Sequence, residues 1–120
     1  MQTILAVDDS ASMRSLVSAV LSRAGFGVVL AEDGVEALEY AENESVDLVL
    51  TDINMPRLDG IGLIKELRNL PHYEYVPLLV LTTESGTDKK MEGKSAGATG
   101  WIVKPFDPTQ LINIIQKVLN

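Results

Sequence analysis

Four places in this chain carry side chains suited to chemistry: the adjacent acids Asp8 and Asp9, the acid Asp52, the hydroxyl of Thr82 and the amine of Lys104. Each follows a short apolar run, so each stands at the end of an expected strand. Three carboxylates within a few ångströms repel one another by about 4 kcal/mol per close pair at an effective dielectric near 20. Such a cluster calls for a cation. The chain has no cysteine and no histidine near these acids, so the donor set is oxygen alone and suits Mg²⁺.

A metal, a lysine and a hydroxyl around one carboxylate form a phosphoryl-transfer arrangement, with Asp52 as the attacking oxygen and the two cations neutralising the equatorial oxygens. The product would be an acyl phosphate on Asp52. It adds about −1.5 to −2 charge and three strong acceptors, for which Thr82 is the nearest free donor. Drawing Thr82 inward would open a void beside the last strand, where Trp101 is the large side chain able to respond.

Plainer roles exist for each residue. Asp8 and Asp9 could cap the helix that follows them, although one cap suffices. Asp52 could be a turn residue ahead of Pro56, Lys104 a surface lysine lying along apolar neighbours, Thr82 an ordinary strand threonine, and Trp101 simple packing. Lys89, Lys90 and Lys94 read as a solvated helix face. His72 and Tyr73, in a loop between prolines, carry no metal signal.

The elements that must position these groups alternate along the chain. Thr3 to Val7 reads as a strand, followed by Met13, Leu16, Val17, Val20, Leu21 and Ala24 at helical spacing, with Gly25 past the end. Gly27 to Ala31 reads as a second strand, and Asp33 with Glu36 three places on opens a helix running through Leu38 and Ala41. The run from Val46 to Asp52 is the central strand, apolar enough to be buried on both faces. A helix capped by Asp59 carries Ile61, Ile64, Leu67 and Leu70 until Pro71 stops it.

Pro77 to Thr82 is the fourth strand. Thr87 to Ala96 is a weak helix, with Gly93 inside it and only Met91 to bury, so it should sit loosely. Gly100 to Val103 is the fifth strand; Asp107 then caps a last helix, with Pro108 in its first turn, a Phe106 to Leu111 staple, and an apolar face of Ile112, Ile114, Ile115, Val118 and Leu119. Five strands alternating with five helices predict an α/β fold: a doubly wound, five-stranded parallel sheet in one domain spanning residues 1–120. In such a sheet Asp8, Asp9, Asp52, Thr82 and Lys104 all lie on one edge, where ligand sites form.

The 120 residues suffice for one core and leave no room for an appended output domain. Net charge is −7, which argues against nucleic acid or an anionic membrane surface as partner. No run is long and apolar enough to span a bilayer, and the absence of cysteine suits a reducing cytoplasm.

Taken in order, Val7-Asp8-Asp9, Asp52-Ile53-Asn54-Met55-Pro56, Asp59-Gly60, Thr82 and Gly100-Trp101-Ile102-Val103-Lys104-Pro105-Phe106 resemble the receiver domains of two-component signalling, and within them the stand-alone chemotaxis response regulators. The resemblance runs from Thr3 to the final helix. It implies a flavodoxin-like (βα)5 fold with strand order 2-1-3-4-5. It implies that Asp52 is the phosphoacceptor. It implies Mg²⁺ held by Asp9, Asp52 and the Asn54 backbone carbonyl, with Asp8 acting through water. Lys104 would pair with the phosphate, its bond to Pro105 cis, and Thr82 and Trp101 would form the coupled switch pair. Asn54 and Glu84 fall where the family tunes dephosphorylation.

Two residues depart from the family pattern: Trp101 stands where tyrosine or phenylalanine is commoner, and Thr83 is bulkier than usual. The implied partners are a histidine kinase, of the chemotaxis type, the flagellar motor switch, and a phosphatase, for a cytoplasmic monomer that is not a dedicated enzyme. A phosphate sink or a phosphorelay intermediate is the alternative within this class. Outside it, a metal-dependent aspartyl-phosphate phosphatase needs Asp-x-Asp after the first strand, which Asp8-Asp9-Ser10 lacks. A flavin module needs a phosphate-cradling first loop, which two acids would oppose.

Overall fold

Five short strands supply the frame of the computed structural model, which describes residues 1–120: β1 (Thr3–Val7), β2 (Gly27–Ala31), β3 (Leu48–Thr51), β4 (Leu78–Thr82) and β5 (Gly100–Val103). All pairings are parallel, in the order β2-β1-β3-β4-β5. The helices are α1 (Ala11–Arg23), α2 (Gly34–Asn43), α3 (Gly60–Arg68), α4 (Thr87–Ala96) and α5 (Pro108–Leu119), with a 3-10 turn at Pro71–Tyr73. The doubly wound parallel fold and strand order are those expected.

β3 and β4 are buried along their whole length. Alternate residues of the sheet therefore feed two cores. Leu5, Val7, Val49, Leu78 and Val80 pack with α2 and α3 on one face; Ile4, Ala6, Leu48, Leu50, Leu79 and Leu81 pack with α1 and α5 on the other. At about 25 cal/mol per Å² of apolar surface, these two layers dominate the stability. The site-bearing edge rests on them.

Several local expectations shift. β3 starts at Leu48 rather than Val46, because the Asp47 carboxylate, instead of a strand partner, takes the Thr3 amide at 2.7 Å. β4 starts one residue after Pro77, which has no N–H to donate. Helix α1 begins at Ala11, capped by the Ser10 hydroxyl on the Met13 amide. Of its apolar residues, Leu16 is 48% exposed. α3 ends at Arg68, so Leu70 lies outside it, held extended by the proline that follows. On α5, Leu111 and Ile115 are buried while Ile114 faces outward.

Asp33 and Asp107 cap as expected, accepting from Glu36 and from Thr109 and Gln110. Glu36, however, reaches the Glu32 amide instead of closing a reciprocal box on Asp33. α4 has the expected bounds, a left-handed Gly97 at its end, and Gly93 as its one buried residue.

Tyr73, given no role by its sequence context, is fully buried, and its hydroxyl donates to the Glu44 carbonyl at 2.7 Å. Burial pushes its ionisation up to about 12. The neutral phenol is thus favoured in the fold, a contribution present below pH 10 and lost as pH climbs toward 12. Tyr73→Phe should cost about 1 kcal/mol at pH 7. In denaturant melts, that deficit should shrink between pH 10 and 12, because only the wild type has this phenol to ionise.

Candidate functional site

The strand-end groups meet on one edge of the sheet. β1, β3 and β5 each end one residue before an ionisable side chain, and parallel pairing aligns those ends. The ladder continues past β3: the Asp52 amide donates to the Val7 carbonyl at 3.0 Å, which seats Asp52 beside Asp8. One carboxylate oxygen from each of Asp8, Asp9 and Asp52 falls within a common 4.8 Å. Asp8 and Asp52 are buried and Asp9 is exposed.

Lys104 reaches this cluster from the far side of β4. Its Nζ donates to Asp8 Oδ2 at 2.7 Å and to Asp52 Oδ2 at 3.0 Å. Burial opposes its charge, but the hydrogen bonds to Asp8 and Asp52 outweigh that, so its ionisation is raised above the ordinary lysine value. It stays cationic at neutral pH. The Lys104–Pro105 bond is cis. Lys104 is therefore not a surface lysine lying along apolar neighbours.

Capping does not account for the two acids after β1. Ser10 takes the helix amide, while Asp8 Oδ1 accepts the Ser10 amide at 2.9 Å. The other Asp52 oxygen accepts the Ile53 amide at 2.6 Å. Three carboxylates against one ammonium leave two negative charges, which matches the charge and oxygen preference of a divalent ion such as Mg²⁺. Asp8, Asp9 and Asp52 are the side chains that would hold it.

Thr82 is fully buried at the end of β4. Its Oγ1 accepts the Glu84 amide at 3.2 Å, which leaves the hydroxyl proton free to donate. Asn54 and Thr83 are exposed, and Glu84 is half-buried. Trp101 lies away from the acids: its ring packs over Gly93 of α4, and its Nε1–H donates to the Glu84 carbonyl at 2.9 Å. A methyl group at position 93 would stand 2.7 Å from the ring. The glycine that makes α4 weak by propensity is what seats the indole.

Sequence reasoning passed over Arg14, whose guanidinium donates to the Asp8 carbonyl at 2.7 Å and lies 3.9 Å from Glu32. Its place one turn after Ser10 was the available signal. With Asp8, Asp52 and core residues, Arg14 lines a cavity of about 10 Å³ under the acids. Arg68 also escaped notice; it ties α3 to the carbonyls of Tyr73, Val76 and Gly97.

Known proteins share this fold. Residues 4–116 match the response regulator receiver domain family. The chain is 41% identical over 118 residues to a chemotaxis protein CheY homolog of Campylobacter jejuni, covering 97% of this chain and 91% of the relative. Among solved structures it is similar to chemotaxis protein CheY4 of Vibrio cholerae, with 47% identity, 98% of each chain covered and a TM-score of 0.94. It is also similar to the receiver domain of sensor histidine kinase PA1611 of Pseudomonas aeruginosa, solved with magnesium coordinated in the active-site cleft; identity is 30%, coverage 98% and 97%, and the TM-score 0.92. On this family match and these near-full-length relatives, the chain belongs to the response regulator receiver domain family.

Proposed function

We propose that this protein is a single-domain response regulator whose Asp52 accepts a phosphoryl group from the phosphohistidine of a histidine kinase and so changes the partner-binding surface formed by α4, β5 and α5. One observation carries the reading: the Lys104 ammonium bridging Asp8 and Asp52 inside a three-acid cluster. The Asp52 carboxylate oxygen attacks phosphorus, the bond from phosphorus to the donor imidazole breaks, and that nitrogen keeps the electron pair and takes up a proton. Mg²⁺, held by Asp9, Asp52 and the Asn54 carbonyl with Asp8 acting through water, would supply charge neutralisation on the phosphoryl oxygens. Lys104 moves its hydrogen bonds from the carboxylates to the new phosphoryl oxygens. Thr82 donates its free hydroxyl proton to another of them.

Later attack by water on phosphorus releases phosphate and restores the carboxylate, with the exposed Asn54, two residues after Asp52, and the half-buried Glu84, two residues after Thr82, setting the rate. The chain promotes both reactions on itself and turns over no outside substrate. In this respect it is a switch and not a dedicated enzyme.

Chemotaxis is the favoured setting, since the curated relatives that match this chain over 91% and 95% of their own length bear chemotaxis names. The partner is then the flagellar motor switch, met by a cytoplasmic monomer, with a phosphatase resetting the signal. No helix is long and apolar enough to cross a membrane. The output face has the necessary apolar character: Val103 and Ile114 are exposed beside a groove lined by Trp101, Pro105 and Phe106.

Trp101 is the only tryptophan and reports on the site through Glu84. Acetyl phosphate or beryllium fluoride should change its fluorescence only when Mg²⁺ is present, and Asp52→Asn should abolish the change. A response that survives in Asp52→Asn removes Asp52 as the acceptor. Lys104→Met should separate two functions: phosphorylation by acetyl phosphate slows by about a hundredfold, while Mg²⁺ binds more tightly because a competing cation is gone.

A further inference from the structure

The loop from Ile53 to Asp59, between β3 and α3, contains the one non-glycine residue with a left-handed backbone: Arg57, at φ 69°. An arginine gains nothing locally from that conformation, which crowds its Cβ. Something outside the loop must hold it. The Arg57 guanidinium grips Asp33 with two hydrogen bonds, Nε to Oδ2 at 2.8 Å and Nη2 to Oδ1 at 3.1 Å. Asp33 is itself fixed, because its Oδ1 caps α2 through the Glu36 amide at 2.8 Å and its side chain is only 8% exposed.

An ion pair on the surface would ordinarily count for little. This one has planar two-point geometry with a partner that cannot swing away. The hydrogen bond from Arg57, then the Glu36 amide, hold the Asp33 carboxyl below the usual carboxylate range, in keeping with that geometry. A second contact backs it: Gly34, next to Asp33, lies against the Leu58 carbonyl so closely that no Cβ would fit. The loop is thus clamped to the start of α2 at positions 57 and 58.

Its other end is fixed as well. The Ile53 amide donates to Asp52 Oδ1, and the Ile53 carbonyl accepts the Gly60 amide at 2.8 Å. Asn54, Met55 and Pro56 are therefore strung between two anchors, one at residue 53 and one at residue 57. Asn54 is the residue whose backbone carbonyl completes the proposed divalent-ion ligand set.

We infer that the Asp33–Arg57 pair is a positioning device for the divalent-cation site: it holds the 53–59 loop in its left-handed turn, and with it the residue-54 backbone whose carbonyl would complete the ligand set. The inference rests on the proposed reading of that site as one that binds Mg²⁺. Neither Asp33 nor Arg57 is among the residues that would hold the ion. They act through the backbone between them and Asp52, as outer partners of metal ligands commonly do.

Two substitutions separate the ion pair from the backbone strain. Arg57→Gly and Arg57→Asn both tolerate a positive φ but remove the guanidinium. Asp33→Asn keeps an oxygen for the Glu36 amide and loses the charge. Mg²⁺ titration of the full chain, followed by calorimetry and by Trp101 fluorescence, should show binding about three- to tenfold weaker in each variant. The Asp33→Asn/Arg57→Gly double variant should be no worse than either single one, because both remove the same link. Thermal melts without Mg²⁺ should leave the variants folded with similar midpoints, a result a purely structural role would not give alongside weakened binding. Mg²⁺ affinity within about twofold of wild type in Arg57→Gly and Arg57→Asn, or independent losses that multiply in the double variant, would overturn the inference. A wild-type protein that takes up no Mg²⁺ would overturn the reading of the site and this inference together.

Discussion

Like charges forced together are the constraint on which the rest depends. Carboxylates at 4.8 Å repel by about 3.5 kcal/mol per pair at an effective dielectric near 20, and the sheet holds three of them at or within that distance. The fold can impose this because β1 and β3 are adjacent, buried strands with their ends in register: Val7 pairs with Thr51, and Asp8 and Asp52 each follow by one residue. Lys104, two strands away, offsets part of the repulsion and belongs to the same edge only because the sheet is parallel throughout. Separate the acids and the lysine loses its purpose. Remove the lysine and the buried pair Asp8 and Asp52 is left without its fixed counter-charge.

That constraint divides the molecule into a rigid part and a pliant one. Asp8 and Asp52 directly follow β1 and β3, strands buried over nearly all their length, so their positions cannot relax without disturbing both cores. α4 is different. It buries only Gly93, has no side-chain cap at its start, and is held at its far end by the Arg68 guanidinium on the Gly97 carbonyl. A charge change at Asp52 meets a stiff frame on one side and a lightly held helix on the other, so the helix side is where movement is cheap.

Much of this was legible in the sequence. Alternation of apolar strands and amphipathic stretches predicted the fold, and the strand-end residues predicted which side chains would converge, because in a parallel sheet order along the chain dictates a common edge. Asp52, Asp8 and Lys104 meet as that logic requires. Among what escaped were contacts between distant segments that do not end at the common sheet edge. The Asp33–Arg57 pair joins residues 24 apart, and Tyr73 reaches Glu44 across 29. No local pattern announces such pairs. Gly93 was legible only as a weakness, since its use on α4 depends on a tryptophan ring that arrives from β5.

Trp101 links the two parts. Its indole nitrogen is bonded to the carbonyl of Glu84, whose own amide is bonded to the Thr82 hydroxyl oxygen, while the indole ring occupies the hollow left by Gly93. On the proposed function, a Thr82 hydroxyl drawn toward a phosphoryl group loosens its hold on the Glu84 amide, and the Glu84 carbonyl moves with it. The tryptophan then loses its polar anchor while its apolar seat remains. A phenylalanine here would have no donor to give the Glu84 carbonyl and would be coupled to Thr82 by packing alone, while a tyrosine would have only its phenolic O–H, at a different place on the ring. Tryptophan in this chain adds a hydrogen bond to the relay, so movement at the site and movement of α4 are joined by a directional contact as well as by a filled space.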